Sequence, residues 1–488
     1  MITALNEPCP TYGSRDRAPL ERWLRFRPVW GGWILTLLVA ACAAPGARPL
    51  DVGESRKAWT GRGSEGALEA ALQHSDVAET AIRRPDVTER QNPANDAFWE
   101  ACALAWNPRV RATRNEVLAL REDLRSAGAP APIGLRAVDH QFGGEDTLVE
   151  TVATFDLIGL LGLGPSEAAR ELQGAQVVRA LAMHEEALWA ARIEVERARV
   201  QLSATRARLE RLSGLEAEAK EDEVRISVLA RSGREAPASV EASVARIAVL
   251  ERQRSVQGAA LAAARRRLEF AAGLPAGHEA PDFVTAVHLQ QFIERDLAGP
   301  LLESTYLDTH PVLRRVRFDF GVAEANIRAI AAEAWPGLGL GPHLSFGPSS
   351  NIGGVLQLSM PWPSAWRGRL AGAERRREGA RQAFEDAWID LDQRAVAAAR
   401  AHDLARDRAL GSTLEVDQAT QRLWTAMRAR YRNAEAPLLN WVDALEVRTN
   451  ALMLVVDDAE AAALAWLDVL EARGPGAEHA SAHGEAGP

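Results

Sequence analysis

Cysteine, lysine, long apolar runs and catalytic signatures are all scarce in this sequence, and each shortage excludes something. Cysteine occurs only at Cys9, Cys42 and Cys102. These make no CxxC pair and join no His/Cys cluster, which excludes thiolate zinc and iron–sulfur sites. The lysines are Lys57 and Lys220, so nearly all basic charge is arginine, a compositional bias rather than a mechanism. A net charge of −9, with no basic stripe carrying interleaved aromatics, argues against a nucleic-acid partner. GxSxG, P-loop and HExxH patterns are missing, and acidic pairs such as Asp457-Asp458 sit where a helical face solvates them. No enzyme, no cofactor and no metal is therefore expected; His479 and His483 fall in a polar tail, 475–488, expected to be disordered.

The main apolar run, from Val29 to Ala41, is broken by glycine and too short for a span of roughly 20 residues. Arg22, Arg25 and Arg27 precede it, and Val39-Ala40-Ala41-Cys42 ends it. A positive n-region, a short h-region and small residues describe a secretory signal over 1–41. The cysteine after the small residues resembles a bacterial lipoprotein signal, which implies acylation of Cys42. An ordinary signal peptide or an uncleaved anchor is the other reading. With Cys9 removed and Cys42 acylated, Cys102 has no partner for a disulfide within the chain. Residues 42–95 are polar and are expected to form an extended tether.

Proline is absent over long stretches: from Pro165 to Pro237, and again from Pro363 to Pro437. The interval from Pro237 to Pro275 equals that from Pro437 to Pro475. Because proline removes a donor and clashes with the preceding turn, the map predicts long helix, turn, shorter helix, performed twice. The tripeptide Glu-Ala-Pro marks both turns, at Glu235–Pro237 and Glu435–Pro437.

Heptads support the helices. Leu181, Leu188, Val195, Leu202 and Leu209 recur by seven, as do Leu445, Leu452, Ala459 and Trp466. Phe384, Trp388, Leu391, Ala395 and Ala398 alternate fours and threes. Sustained sevens predict helices packed along their length. A helix of roughly 67 residues would run about 100 Å, longer than a compact globule needs.

Between the helical parts the period changes to two. Leu338, Leu340, Leu344 and Phe346 alternate with small or polar residues, and Ile352, Leu356, Leu358 and Trp362 do the same. Val149, Ala153, Phe155 and Leu157 share a side of an earlier segment, and 133–142 alternates only at its start. Such segments fit a transmembrane β-barrel, or a hairpin laid on a soluble core. The signal and the lack of any globular core to cover favour the barrel. Four strands cannot close a barrel and a membrane tolerates no open edge, so the chain must assemble with copies of itself.

The order helix, two strands, helical hairpin, repeated, resembles the TolC-like outer membrane factor family over about residues 96–473. Tyr431-Arg432-Asn433-Ala434 through Val442-Asp443-Ala444 resembles the family's tip motif, and AWPGLGL at 334–340 its approach to the third strand. The resemblance implies a mainly α fold with a small transmembrane β part: a duplicated unit of two strands plus a long helical hairpin. Three copies would form a 12-stranded barrel and an α-helical periplasmic tunnel. The first repeat would run 96–275, with strands 133–142 and 147–163, hairpin 165–273 and tip 231–240. The second would run 276–474, with strands 337–346 and 352–362, hairpin 364–473 and tip 431–440.

It further implies a passive exit duct of a tripartite efflux or type I secretion system. The duct would be a homotrimer, lipid-anchored in the outer membrane and reaching into the periplasm. Its partners would be outer-membrane lipid, a periplasmic adaptor (membrane fusion) protein and an inner-membrane transporter. The periplasmic gate would fall at Tyr431, Asn440, Asp443 and Ser239, and the adaptor contacts at Glu235, Pro237, Glu435 and Pro437. Tyr431 matches the family's constricting tyrosine and reads equally as a buried residue between helices. Asn440 stands where an outer aspartate is expected, Ala436 where some members carry an arginine, and Ser239 where a partner aspartate often sits. The family's charged lock is thus largely missing. A lipid-anchored coiled-coil scaffold without a pore is the alternative function.

Overall fold

The computed structural model describes residues 51–62, 68, 96–127, 134–141, 147–156, 165–277, 289, 293, 309–334, 337–346, 351–359, 362–433 and 435–475. The expected signal, Cys42, most of the tether, and the tail with its two histidines lie outside these residues. The chain divides into two units, residues 1–58 and 59–488. A short helix, α1 (Val52–Thr60), begins in the first unit. Asp51 caps it, its Oδ1 accepting from the amides of Gly53 (2.8 Å) and Glu54 (3.1 Å).

In the second unit the elements are α2 (Asp96–Trp106), α3 (Pro108–Ala127), β1 (Gly134–Gln141), β2 (Thr147–Asp156), α4 (Pro165–Arg231) and α5 (Pro237–Ala271). Then follow α6 (Pro311–Ala332), β3 (Gly337–Phe346), β4 (Asn351–Ser359) and α7 (Pro363–Gly411). A π-helical turn (Ser412–Asp417) joins α7 to α8 (Gln418–Arg432), and α9 (Leu438–Arg473) ends the described chain. Most of these helices open on proline at the first helical position, where its missing N–H is no loss. The π turn inserts a bulge into what the proline map reads as one helix. Arg448 of α9 satisfies it, donating to the Asp417 carbonyl (2.9 Å), the Asp417 carboxylate (2.6 Å) and Thr420 Oγ1 (3.0 Å).

The four strands form one antiparallel sheet in the order β1-β2-β3-β4. Helices stand below the strands in the same order: α3 packs on α4, α4 on α6 and α6 on α7. Further along, α5 packs on α4, α4 on α9, and α9 on α7 and α8. Chain direction alternates across that series. Arginine zips the seams: Arg314 reaches Glu185 (2.5 Å) and Arg315 reaches Glu186 (2.6 Å) between α6 and α4. Between α4 and α9, Arg197 bridges Asp468 (2.5 Å) and Glu471 (2.6 Å), and Arg208 bridges Asp457 (2.7 Å) and Glu460. Most are part-exposed and contribute about 0–1 kcal/mol each, so they set register more than stability.

Register fixes the two faces of the sheet. Leu338 pairs with Leu358, Leu340 with Leu356 and Leu344 with Ile352 on one face. Gly339 pairs with Gln357, His343 with Gly353 and Ser345 with Asn351 on the other. The apolar face is bare: Ile352 is 86% exposed, Leu356 67% and Leu358 63%.

Two junctions of the helical part are built alike. Asn107, at the start of α3, donates from Nδ2 to the carbonyl of Ala271 at the end of α5 (3.2 Å). His310, at the start of α6, faces the carbonyl of Glu471 at the end of α9 (3.2 Å). His310 Nδ1 accepts from the amide of Val312 (3.2 Å), so Nε2 carries the hydrogen given to Glu471. A positive-φ glycine follows each helix end, Gly273 (φ 71°) and Gly474 (φ 81°), where the chain passes too close to the facing junction for a side chain.

Candidate functional site

The two helix turns at the far end of the hairpins are made by different local means. In the first, Gly233 takes a positive φ of 71° and Arg234 N donates to Leu229 O (3.0 Å). Ala236 is extended, and Pro237 starts α5. In the second, Glu435 N donates to Arg430 O (2.8 Å), and extended Pro437 caps α9. Glu435 and Pro437 are exposed, as is Pro237, while Glu235 is half-buried. Ser239 Oγ donates to the Glu235 carboxylate (2.9 Å), so it serves its own turn.

Tyr431 is 1% exposed and packs among Trp424, Leu438 and Trp441. Its hydroxyl has no hydrogen-bond partner among the described residues. Burial, and then the nearby Glu235 carboxylate, push the phenol up to about 12. Asn440 and Asp443 are exposed on α9, with no polar side-chain contact among the described residues. The structure thus brings Tyr431, Glu235 and Ser239 together and gives Asn440 and Asp443 no polar side-chain contact with them.

Just above the turns lies a charged cluster that the sequence reading missed. Asp222 of α4, 1% exposed, accepts from Arg428 Nε (2.7 Å), from Arg432 Nε (2.9 Å) and Nη2 (2.6 Å), and from Trp441 Nε1 (3.1 Å). Glu218, one turn away, accepts from Trp424 Nε1 (2.7 Å) and Arg428 Nη1 (3.2 Å). Glu221 adds a contact to Arg428 Nη2 (2.6 Å), and Arg225 donates to the carbonyl of Arg432 (2.7 Å). The Trp424 and Trp441 rings lie 5.8 Å apart, and the Arg428 guanidinium lies 5.9 Å from the Trp424 ring. One buried carboxylate therefore ties the first hairpin to both helices of the second. Its signal in the sequence was the spacing of Trp424, Arg428 and Arg432 by four, one helical face carrying two cations and an indole donor. Nothing local names the acidic residue they meet.

Among the described residues no group of three or more His, Cys, Asp or Glu is placed to hold a metal. None of the described helices is long and apolar enough to cross a membrane.

The four-stranded sheet with helices continuing its strands is the fold of TolC-like outer membrane factors, the outer-membrane channel class. The outer-membrane channel OprN is similar at 16% identity over 82% of this chain and 99% of its own, with a TM-score of 0.64. CusC matches at 17% identity over 82% and 96%, TM-score 0.63. The open state of the MtrE outer-membrane channel of Neisseria gonorrhoeae matches at 18% identity over 82% and 96%, TM-score 0.65. No protein-family model and no curated protein sequence matches the chain.

Proposed function

We propose that the chain is one subunit of a passive exit duct in the outer membrane, part of a tripartite efflux or type I secretion system. The observation that carries this reading is the bare apolar face of the sheet, Ile352, Leu356 and Leu358, on strands whose helices continue in strand order. A water-soluble scaffold has no use for that face, whereas lipid covers it at no cost. Both sheet edges, β1 and β4, lack a partner strand among the described residues. Three copies joined edge to edge make twelve strands and remove every open edge. In this reading the helix–strand–strand–hairpin order is a duplicated unit, and Cys42 carries the lipid after removal of 1–41. The hairpin tips at Glu235–Pro237 and Glu435–Pro437 then receive the periplasmic adaptor, behind which stands the inner-membrane transporter. Protein chemistry plays no part in transport, and the duct takes no cofactor or metal.

The gate in this reading is the buried Asp222 cluster together with Tyr431. It stands beside Asn440, Asp443 and Ser239, the other gate positions expected from the sequence, as the charged contact to be broken. The test is single-channel conductance of the detergent-extracted protein in planar bilayers, with its mass in detergent measured alongside. Discrete current steps from a trimer support the duct. A non-trimeric protein silent at every voltage, and silent again with Asp222→Ala, returns the chain to the scaffold reading.

A further inference from the structure

Buried residues of α7 recur by seven at Ala395, His402 and Ala409, and those of α8 do the same at Trp424 and Tyr431. From Ala409 to Trp424 is fifteen positions, one more than two heptads. On α9, which packs against α7, the π turn and α8, the buried residues Leu438, Leu445, Leu452, Ala459 and Trp466 keep an unbroken spacing of seven. The α7–α8 arm therefore carries one residue more than α9 can match. The π turn, Ser412–Asp417, lies inside that interval. Its wider i→i+5 turn takes in one residue more than an α turn does, so the faces above and below it both stay on α9.

The joint is pinned and its surroundings are soft. Arg448 of α9 donates to both the carbonyl and the carboxylate of Asp417 (2.9 and 2.6 Å), which puts the π turn and Arg448 at one level. Beside Arg448, Thr449 Oγ1 donates back to the carbonyl of Leu445 in its own helix (2.7 Å). Thr420 Oγ1, just below the π turn, does the same to Val416 (2.8 Å). Such back-bonds compete with the backbone ladder and let a helix bend. Across the seam, α4 runs from Pro165 to Arg231 without a π turn.

We propose that the π turn is the hinge of the second hairpin's tip. When the ion pairs to Asp222 part, α8 and the adjoining start of α9 swing about it, and Arg448–Asp417 holds the fulcrum. The inference rests on the gate reading of the Asp222 cluster and supplies its moving part. A long helix bends where its ladder is already interrupted, and hinges lie where a few residues absorb the torsional change. Tyr431 lies about 20 Å along the axis from the π turn, so a bend of about 10° moves it by about 3–4 Å. A shift of that size takes Arg428 and Arg432 out of hydrogen-bond reach of Asp222 while α7 keeps its place.

Electron cryomicroscopy of the full-length chain in lipid nanodiscs tests the hinge, with Asp222→Ala compared to the parent. The expected result is that α7 superposes, α8 turns as a straight rod, and the backbone torsions that change are those of 412–417. A bend spread along both helices, a bend centred elsewhere, or no displacement overturns the hinge. Deletion of the exposed Glu415 returns Ala409 and Trp424 to a spacing of two heptads. It is expected to abolish the bend in the Asp222→Ala background, and a bend that persists there overturns the hinge. Arg448→Gln leaves the Asp222 cluster untouched and is expected to spread the α7–α8 angle over several particle classes; a single class at the parent angle overturns the pin. Single-channel conductance separates the hinge from the gate. A swing of α8 in Asp222→Ala at parent conductance overturns the gate and supports the hinge. Raised conductance with α8 in its parent position overturns the hinge alone.

Discussion

Gly474 sits against His310 so closely that a Cβ on it would lie 2.9 Å from the imidazole Cδ2. Gly273 holds the equivalent place beside Trp106, where a Cβ would meet the backbone carbonyl oxygen at 2.5 Å. At both positions the helix end has turned into positive φ, so crowding and backbone strain act together.

Gly273→Ala is expected to destabilise by about 1–3 kcal/mol, because backbone cannot yield as a side chain does. Gly474→Ala should cost less, since part of its obstacle is a ring edge. Gly214→Ala, inside α4 with nothing within 4 Å, is expected to stabilise by about 0.5–1 kcal/mol. Chemical unfolding in detergent, followed by helical circular dichroism, gives all three.

His184 supplies a pH dependence. It is 2% exposed between α3 and α4, with Nδ1 2.9 Å from Thr113 Oγ1. Burial first, and then the charge of Arg114, lower its pKa to about 4. The unfolded chain takes up this proton near pH 6.5 and the folded one only near 4, so stability is full above 6.5 and falls as pH drops through that window. The loss is on the order of 3 kcal/mol. His310, lowered by burial, acts in the same direction. Unfolding midpoints between pH 7 and 4 should slope downward, and His184→Gln should flatten part of the slope.

Asp222→Ala leaves Arg428, Arg432 and Trp441 Nε1 facing a hole, at a cost of about 3–5 kcal/mol. Glu221→Ala removes a side chain that is 66% exposed and should cost about 0–1 kcal/mol. If the cluster is the gate, Asp222→Ala also raises single-channel conductance and Glu221→Ala leaves it near the parent value. Equal conductance in the two variants confines Asp222 to stability.

Tyr431 separates packing from polarity. Its hydroxyl is buried without a partner, so Tyr431→Phe is expected to change stability by less than about 1 kcal/mol, in either direction. Tyr431→Ala empties a site among Trp424 and Trp441 and should cost about 3–5 kcal/mol. Thermal unfolding of the two variants decides whether the residue acts by bulk or by hydrogen bonding.

The sheet faces give the membrane test. Leu356→Arg on the apolar face is expected to cost roughly 2–4 kcal/mol of insertion at mid-membrane and to deplete the protein from outer-membrane fractions. Gln357→Arg, one residue on and on the other face, should fractionate like the parent. Equal fractionation of both would remove lipid from the apolar face.

Much of this molecule is written in local pattern. Proline at 165, 237, 363 and 437 bounds helices because a missing N–H and a ring clash act within one turn. Alternation at 338–346 and 352–358 marks a two-faced sheet because strand geometry has period two, whatever it packs against. Those signals need only near neighbours, so they can be read without knowing what each element packs against. The site is another matter. Asp222 meets Arg428 and Arg432 across more than 200 residues of chain, and the π turn is satisfied by Arg448 from another helix. Which acid meets which arginine, and whether Tyr431 faces a lumen or a core, depends on the rotation of each helix about its axis. Heptads leave that rotation loose, because alanine-rich seams pack at several angles; only the packed set of helices selects one, and with it the buried carboxylate.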